Sequence, residues 1–181
     1  MDTELEILKL VAERLEKAGF DYMLSGSVAL ACYGQARMKH AIDIVIDLRP
    51  SDAERFAALF QGDFYCDVEH VRAAARRVGL FNMVHLKKLI RVDLYIRGNS
   101  EFRREEFGRR RRLPIGGFEI WVVALEDLIL SKLLWARNSR SEFQRRDARE
   151  LLGFSSGLDD AYLERWAKSL DLEPLLAEAR A

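Results

Sequence analysis

The sequence has no excess charge, few cysteines and no long apolar run, and each absence excludes a class of protein. Basic residues number 29 and acidic residues 29, so the formal net charge is zero and gives no overall attraction to nucleic acid. Cys32 and Cys66 are the only cysteines, as expected of a reducing compartment in which both thiols stay reduced. No signal peptide or membrane-length apolar stretch is present. These absences predict a cytoplasmic protein that does not contact membranes.

Histidine is also scarce, which bears on metal binding. The three histidines, His40, His70 and His85, lack the spacing typical of metal ligands, so we interpret them as structural or surface residues. Hydrophobic residues make up 49% of the 181 residues, enough to form a core. This length fits one domain, or one domain with a small helical extension.

The stretch Tyr22–Leu48 carries the most informative pattern in the chain. An apolar strand enters a tight Ser-Gly-Ser turn, then come a short apolar helix, Arg37, and a β-branched strand that contains Asp43. Gly26 lets a phosphate approach the backbone, and Ser27 can cap the helix and bond a phosphate oxygen. A carboxylate among apolar strand residues is costly unless something binds it. This layout predicts a nucleotide-handling site, although a Gly-Ser turn by itself is also typical of ordinary turns.

A second carboxylate lies in a predicted β-hairpin. The stretches 80–86 and 89–96 alternate apolar and polar residues and are joined by two lysines. In the second stretch Arg91, Asp93 and Tyr95 share one face. Asp93 is therefore either a catalytic-type carboxylate or a surface residue paired with Arg91.

Two basic features each leave an alternative open. The arginine-rich stretch 102–112 contains interspersed glutamates, so it is either a solvated face or a binding strip for an RNA backbone or nucleotide phosphates. From Leu125 onward the pattern is helical. Lys132 lies on or beside the apolar stripe, where it either snorkels to solvent or reaches a phosphate.

The order of these motifs is similar to the nucleotidyltransferase fold of the DNA polymerase β superfamily. Within it, the chain most resembles the small bacterial branch of AbiEii-type and MenT-type toxin proteins. The matching positions are Gly26, Ser27, Arg37, Asp43, Val92-Asp93-Leu94, Glu126-Asp127-Leu128-Ile129 with Lys132, and Arg146-Asp147.

The resemblance implies an α/β (α+β) fold with a small mixed sheet flanked by helices. Residues 1–124 would form the sheet domain, and residues 125–181 a C-terminal helical section packed on it. The implied activity is magnesium-dependent transfer of a nucleotidyl group from a nucleoside triphosphate to a hydroxyl of RNA, such as tRNA, or of protein. The implied catalytic metal ligands are Asp43 and Asp93, and the implied nucleotide contacts are Gly26, Ser27, Arg37 and Lys132.

One departure from the family pattern concerns the metal ligands. Similar proteins read Arg-x-Thr-x-Asp-x-Asp here, whereas this chain has Ala41 in place of the first carboxylate. Losing one of three carboxylates predicts impaired catalysis. Asp47 cannot substitute, because four strand residues separate it from Asp43 by roughly 13 Å. Lys39 either places its ammonium group beside Asp43 or points to solvent.

The missing carboxylate leaves two functions open. The first is an impaired nucleotidyltransferase. The second is a catalytically inactive pseudoenzyme of this fold, which binds a nucleotide or an antitoxin-type protein partner without chemistry.

Overall fold

The structure, a computed structural model, describes residues 3–35 and 41–181. It divides into two compact units, Met1–Val122 and Val123–Ala181. The first unit contains, in chain order, α1 (Thr3–Lys17), β1 (Tyr22–Ser25), α2 (Gly26–Cys32), β2 (Ala41–Ile46), a 3₁₀ turn (Pro50–Asp52), α3 (Ala53–Phe60), β3 (Phe64–Tyr65), α4 (Val68–Arg77), β4 (Leu80–His85), β5 (Arg91–Ile96), α5 (Glu101–Gly108), β6 (Arg111–Ile115) and β7 (Phe118–Val122). The second contains α6 (Leu125–Ser139), α7 (Glu142–Phe154), α8 (Asp160–Ser169) and α9 (Glu173–Arg180).

The described strands form one mixed seven-stranded sheet in the order β3-β4-β5-β2-β1-β7-β6. Strands β2 and β5 pair in parallel, as do β1 and β7, while the other neighbours are antiparallel. The predicted α/β class with a mixed sheet is thereby confirmed. The predicted hairpin of β4 and β5 is confirmed as well, and β6 and β7 form a second one.

Side-chain alternation in β2 separates the core from a second, more open face. Ile42, Ile44 and Ile46 are fully buried, whereas Ala41, Asp43 and Val45 are only half-buried. Burying one such isoleucine contributes about 1.5–3 kcal/mol, which fixes the register of the strand. The same alternation therefore fixes the face on which Asp43 lies.

Aromatic rings dominate the core beneath the other side of the sheet. Phe56 contacts the rings of Phe20, Phe60 and Phe81 with centroids 5.1 to 5.8 Å apart, mostly edge to face. Edge-to-face contacts at this spacing add to the energy of burial. This cluster supports the strands that carry the candidate site.

The arginine-rich stretch forms helix α5 and the start of β6 rather than an extended strip. Three of its arginines have acidic partners: Arg103 pairs with Glu106, Arg110 with Asp21 and Arg112 with Glu16, at 2.8, 3.3 and 2.6 Å. These pairs favour the solvated, structural interpretation over binding of an RNA backbone.

The second unit contains the predicted C-terminal helices. Helix α6 buries Leu128, Ile129 and Leu133, and α8 contributes Leu163 and Trp166 to the same core. Over the ranges that the structure describes, no helix combines the length and apolarity that crossing a bilayer requires.

Candidate active site

Two carboxylates lie side by side on the open face of the sheet. The parallel pairing of β2 and β5 aligns Asp43 with Asp93. Neighbouring strands are about 4.8 Å apart, and aligned residues project to the same side. Periodicity alone could not place these residues together, because 50 positions separate them, whereas the family resemblance implied that both are metal ligands. Their adjacency forms the centre of the candidate site.

The turn before α2 brings backbone directly against Asp43. Gly26 has φ +63°, and a Cβ built on it would lie 2.1 Å from Oδ2 of Asp43. Any other residue would therefore be strained by its φ and would clash with the carboxylate. Ser25, the last residue of β1, is aligned with Asp43 across the antiparallel pair. Gly26 thus allows the close approach of the Asp43 side chain, whereas the approach of a phosphate to its backbone stays a prediction.

Ser27 differs from its predicted position at the cap of the helix. Helix α2 begins at Gly26 and has Ser25 as its N-cap, so Ser27 lies inside the first turn. Its exposed fraction is 3%. The expected capping role is wrong, because Ser25 precedes the helix as its N-cap and Ser27 is already helical. The predicted phosphate contact of Ser27 stays a prediction.

Asp93 is buried and paired, which resolves the alternatives for this residue in part. Its side chain is 10% exposed, so the surface interpretation is wrong. The predicted partner is confirmed, since Nε of Arg91 lies 3.0 Å from Oδ1 and Nη2 donates to Oδ2 at 3.0 Å. A two-pronged contact of this kind is among the strongest charge-assisted arrangements.

Tyr95 is a site residue that the sequence analysis did not identify. It lies two residues after Asp93 on the same face and is hydrogen-bonded to Asp43. Burial raises the pKa of the Tyr95 hydroxyl well above its ordinary value, and the negative charges of Asp43 and Asp93 raise it further. Tyr95 therefore stays neutral at physiological pH, and its hydroxyl donates a hydrogen bond to Asp43. The sequence did contain a signal for Tyr95, because a strand residue two positions from Asp93 lies on the same face.

The site face continues to the edge of the sheet. Asn82 of β4 is aligned with Asp93, and Val84 of β4 is aligned with both Arg91 and Tyr65 of β3. Asn82 is exposed and Tyr65 is 59% exposed. The carboxylates are therefore flanked on this side by polar and aromatic groups that solvent reaches.

The side chains present fit one magnesium ion better than two. Asp43 and Asp93 supply hard oxygen donors on adjacent strands, which suits an ion that is held by one or two carboxylates and by substrate phosphates. Position 41 supplies only a methyl group, and among the described residues no cluster of three or more potential ligands is present. Asp47 instead pairs with Arg97 at 3.3 Å.

The remaining predicted contacts lie elsewhere. Arg37 and Lys39 fall outside the described residues. Lys132 belongs to the C-terminal unit, where its ammonium nitrogen lies 2.7 Å from Oδ2 of Asp147 and 3.3 Å from Oε1 of Gln144. Lys132 is 3% exposed and Asp147 is fully buried. Its contact with a nucleotide stays a prediction.

The acidic residues at the start of α6 also have partners within the C-terminal unit. Asp127 accepts a hydrogen bond of 2.5 Å from the Tyr162 hydroxyl, and Glu126 accepts one of 3.1 Å from the backbone N–H of Asp159. Both acids are buried. These bonds connect α6 to the start of α8 and provide a structural role for the pattern around residues 126–132.

Comparisons with known proteins agree with this architecture. The sequence matches no protein-family model. A search of curated proteins found no match. Among solved structures, the antibiotic-resistance factor ANT(2'')-Ia in solution is 13% identical, with 99% of this chain and 93% of that one covered and a TM-score of 0.58. The same factor in complex with adenylyl-2''-tobramycin is 14% identical, with coverages of 98% and 97% and a TM-score of 0.50.

Two further structures have similar scores. An antigenic nucleotidyltransferase-like protein of Paracoccidioides brasiliensis is 15% identical over 96% of this chain and 90% of that one, with a TM-score of 0.56. TM1012 of Thermotoga maritima, a protein assigned to the nucleotidyltransferases, is 17% identical over 81% and 93%, with a TM-score of 0.55. The more specific resemblance to the toxin branch stays a prediction. At these identities the likeness concerns the fold, and the fold of this chain is that of the nucleotidyltransferases.

Proposed function

We propose that this protein binds a nucleoside triphosphate on the face formed by Gly26, Asp43 and Asp93. It then transfers the nucleotidyl group to a hydroxyl acceptor, at a rate reduced by the alanine at position 41. The observation that carries the proposal is the alignment of Asp43 with Asp93. Beside it, the Gly26 backbone lies so close to Asp43 that a Cβ on Gly26 would be 2.1 Å from Oδ2. Neither strand packing nor turn formation requires two adjacent carboxylates on an open face.

Each proposed site residue has a distinct role. The Gly26 backbone lets the triphosphate approach closely, and the Ser27 hydroxyl bonds one of its oxygens. Arg37 clamps a phosphate with two N–H groups. Asp43 and Asp93 are the residues that would hold magnesium if Arg91 released Asp93, and a bound ion would neutralise charge that develops on the triphosphate.

Activity is reduced because one of three expected carboxylates is a methyl group. Asp43 and Asp93 together suit one ion, so the second cation of a two-metal centre lacks a ligand at position 41. Tyr95 keeps the Asp43 carboxylate oriented through its hydrogen bond. Gly26 and the phosphate contacts still position the substrate. We therefore expect a slow reaction rather than none.

The acceptor proposed for this chain is a hydroxyl group. ANT(2'')-Ia has been solved with adenylyl-2''-tobramycin, a product in which a small molecule carries the adenylyl group. A small-molecule hydroxyl is therefore one acceptor for this chain, beside the hydroxyls of RNA and of protein.

A second function is favoured by one observation at Asp93. Both carboxylate oxygens of Asp93 are already engaged by Arg91 at 3.0 Å. A site in this state binds a nucleotide, or an antitoxin-type protein partner, without turnover. This pseudoenzyme function is distinguished from the first by transfer of label from an α-labelled nucleoside triphosphate.

Thermal stabilisation tests the proposal directly. ATP, GTP, CTP and UTP are added with and without Mg²⁺ to the natural chain and to Ala41→Asp. A ligand that binds only the native state stabilises it by roughly 2.7 kcal/mol at a hundred times its dissociation constant. We expect at least one nucleotide to stabilise both proteins, and the Mg²⁺-dependent part and the transfer of label to increase in Ala41→Asp. Absence of stabilisation by every nucleotide in both proteins would contradict the proposal.

Two glycines provide a matched control for the site. Gly26→Ala and Gly19→Ala both place alanine at a positive φ, +63° and +75°, but only the first brings a Cβ against Asp43, since nothing lies within 4 Å of a Cβ at Gly19. We expect both variants to lose about 1–2 kcal/mol of stability from the backbone alone. Only Gly26→Ala should also lose nucleotide-dependent stabilisation. Equal nucleotide responses in the two variants would contradict the placement of the site.

A further inference from the structure

Arg91 occupies a position next to the missing carboxylate. Strand pairing forms a row across the open face in the order Tyr65, Val84, Arg91, Ala41. Asp93 lies two residues further along β5 in the adjacent row, beside Asp43. Arg91 is thus aligned with position 41 across the strand pair and lies two residues from Asp93 on its own strand.

The contact between Arg91 and Asp93 uses only part of the guanidinium group. Nε and Nη2 form the two prongs to Asp93, each at 3.0 Å. An arginine has five N–H donors, and those of Nη1 and the second of Nη2 are not part of these prongs. The Arg91 side chain is 55% exposed, whereas that of Asp93 is 10% exposed. A ligand on the open face can therefore reach the cation without disrupting its pair.

We propose that the guanidinium group of Arg91 takes the place of a metal ion at Asp93. Its guanidinium group neutralises Asp93 and presents N–H donors to the phosphates of the nucleotide, which are then bound without a metal. The phosphate part of this inference rests on the proposed function. The metal part concerns only the pair itself and can be tested in the absence of nucleotide.

The alanine at position 41 is consistent with this role. A carboxylate there would lie directly beside Arg91 in the strand register and would compete with Asp93 for its N–H groups. With alanine at position 41, Asp93 is the carboxylate that pairs with Arg91, and the local charge of the face is less negative. It follows that Ala41→Asp restores metal binding only in part, because Arg91 still engages the carboxylates. Removal of Arg91 from the Ala41→Asp variant should make these carboxylates available to a metal ion.

Binding of Mn²⁺, followed by its electron paramagnetic resonance signal without nucleotide, tests the metal part. The proteins are Ala41→Asp and the double variant Ala41→Asp/Arg91→Met. We expect the double variant to bind one Mn²⁺ roughly tenfold more tightly, because removal of Arg91 releases both oxygens of Asp93, and groups bonded to a ligand change metal affinity by about this factor. Equal affinities, or no Mn²⁺ bound by either protein, would overturn the proposal.

The control for loss of an arginine is Arg97→Met in the Ala41→Asp background. Arg97 follows the same strand and pairs with Asp47 at 3.3 Å, a residue that is not part of the site. We expect its removal to leave Mn²⁺ affinity unchanged. An increase equal to that of the Arg91 variant would show a general charge effect and would also overturn the proposal.

Nucleotide binding in EDTA tests the phosphate part. We expect the nucleotide that stabilises the natural chain most to stabilise it without metal, and Arg91→Met to lose most of this metal-free stabilisation. A full response of Arg91→Met in EDTA would overturn the phosphate role. If no nucleotide stabilises any variant, with or without Mg²⁺, the proposed function fails, while the Mn²⁺ comparison still decides whether Arg91 replaces a metal.

Discussion

Each unit of the protein contains an ion pair at a residue that the sequence marked as a site candidate, and the two pairs differ in burial. In the sheet unit, the side chain of Arg91 is 55% exposed and that of Asp93 10% exposed. In the helical unit, Lys132 is 3% exposed and Asp147 is fully buried. Both pairs are close, at 3.0 and 2.7 Å. Distance alone therefore does not distinguish them, whereas access of solvent to the cation does.

This difference determines what each pair can do. A fully buried pair has given up all its hydration, and removal of one partner leaves an uncompensated charge in the core. A cation that is half in solvent can exchange or share its partner with a ligand at little cost. We therefore expect Lys132–Asp147 to act first on stability and Arg91–Asp93 to act first on binding.

The largest effect is expected for Lys132→Met. Breaking a buried pair by removing one partner costs about 3–5 kcal/mol, because Asp147 would remain charged without its ammonium partner. Urea denaturation at pH 7 measures this loss of unfolding free energy. A loss below about 1 kcal/mol is typical of exposed ion pairs, and it would contradict the view that burial makes Lys132–Asp147 important for stability.

The matched double variant shows whether the loss comes from the unpaired charge. Lys132→Met with Asp147→Val replaces both members by apolar groups, and such replacements are often neutral or stabilising. We expect the double variant to recover at least half of the stability that the single variant loses. No recovery would indicate that packing around the Lys132 stem, rather than charge, is responsible.

A smaller effect on stability is expected for Arg91→Met. The buried carboxylate of Asp93 loses its partner, which costs about 1–3 kcal/mol, yet water can reach the site from the open face. The same denaturation series measures this value beside that of Lys132→Met. A cost equal to or above that of Lys132→Met would contradict the view that exposure of the cation separates the two pairs.

The sequence predicted those parts of the site that depend on local pattern. The alternation in β2 and β5 identified the faces of Asp43 and Asp93, and the turn at Gly26 was recognised from its residue type. The hairpin formed by β4 and β5 followed from two alternating runs with a short connection. Local periodicity and turn chemistry are sufficient for such features.

Contacts between distant parts of the chain were beyond this approach. The alignment of Asp43 with Asp93 requires a parallel crossover, which periodicity cannot specify. The hydrogen bond of Tyr95 with Asp43 depends on that alignment, and so it was missed. The burial of Lys132 was left open because a lysine beside an apolar stripe is compatible with both solvent and core positions.

Tyr95→Phe sharpens the comparison within the sheet unit. The variant removes one hydroxyl that is hydrogen-bonded to Asp43 and leaves the ring in place. The expected loss is about 0.5–1.5 kcal/mol of unfolding free energy, because Asp43 is half-buried and water can replace the donor. Calorimetric unfolding checks this value. Unchanged nucleotide affinity in Tyr95→Phe would show that orientation of Asp43 by this bond is not needed for binding.

A third ion pair, Arg14–Asp63, has the most exposed carboxylate of the three, although its cation is less exposed than Arg91. Arg14 and Asp63 have side chains 28% and 33% exposed, with nitrogen to oxygen distances of 2.8 and 2.5 Å. With water reaching both partners, we expect Asp63→Asn to cost only about 0.2–1 kcal/mol at pH 7. This is the smallest of the predicted effects.

The stability that the Arg14–Asp63 pair contributes depends on pH, and the pKa of Asp63 gives the direction of this dependence. The hydrogen bonds from Arg14 hold the pKa of Asp63 below its ordinary value, so the unfolded chain binds the proton more readily than the native protein. Its contribution is therefore complete above the unfolded pKa of about 4 and is lost as the pH falls through the lower native value. We expect the stability difference between the natural chain and Asp63→Asn to shrink as the pH is lowered from about 5 toward 2. Arg14→Met should remove the same acid-dependent part, whereas a difference that stays constant down to pH 2 would mean that Asp63 acts through its hydrogen-bonding shape and not its charge.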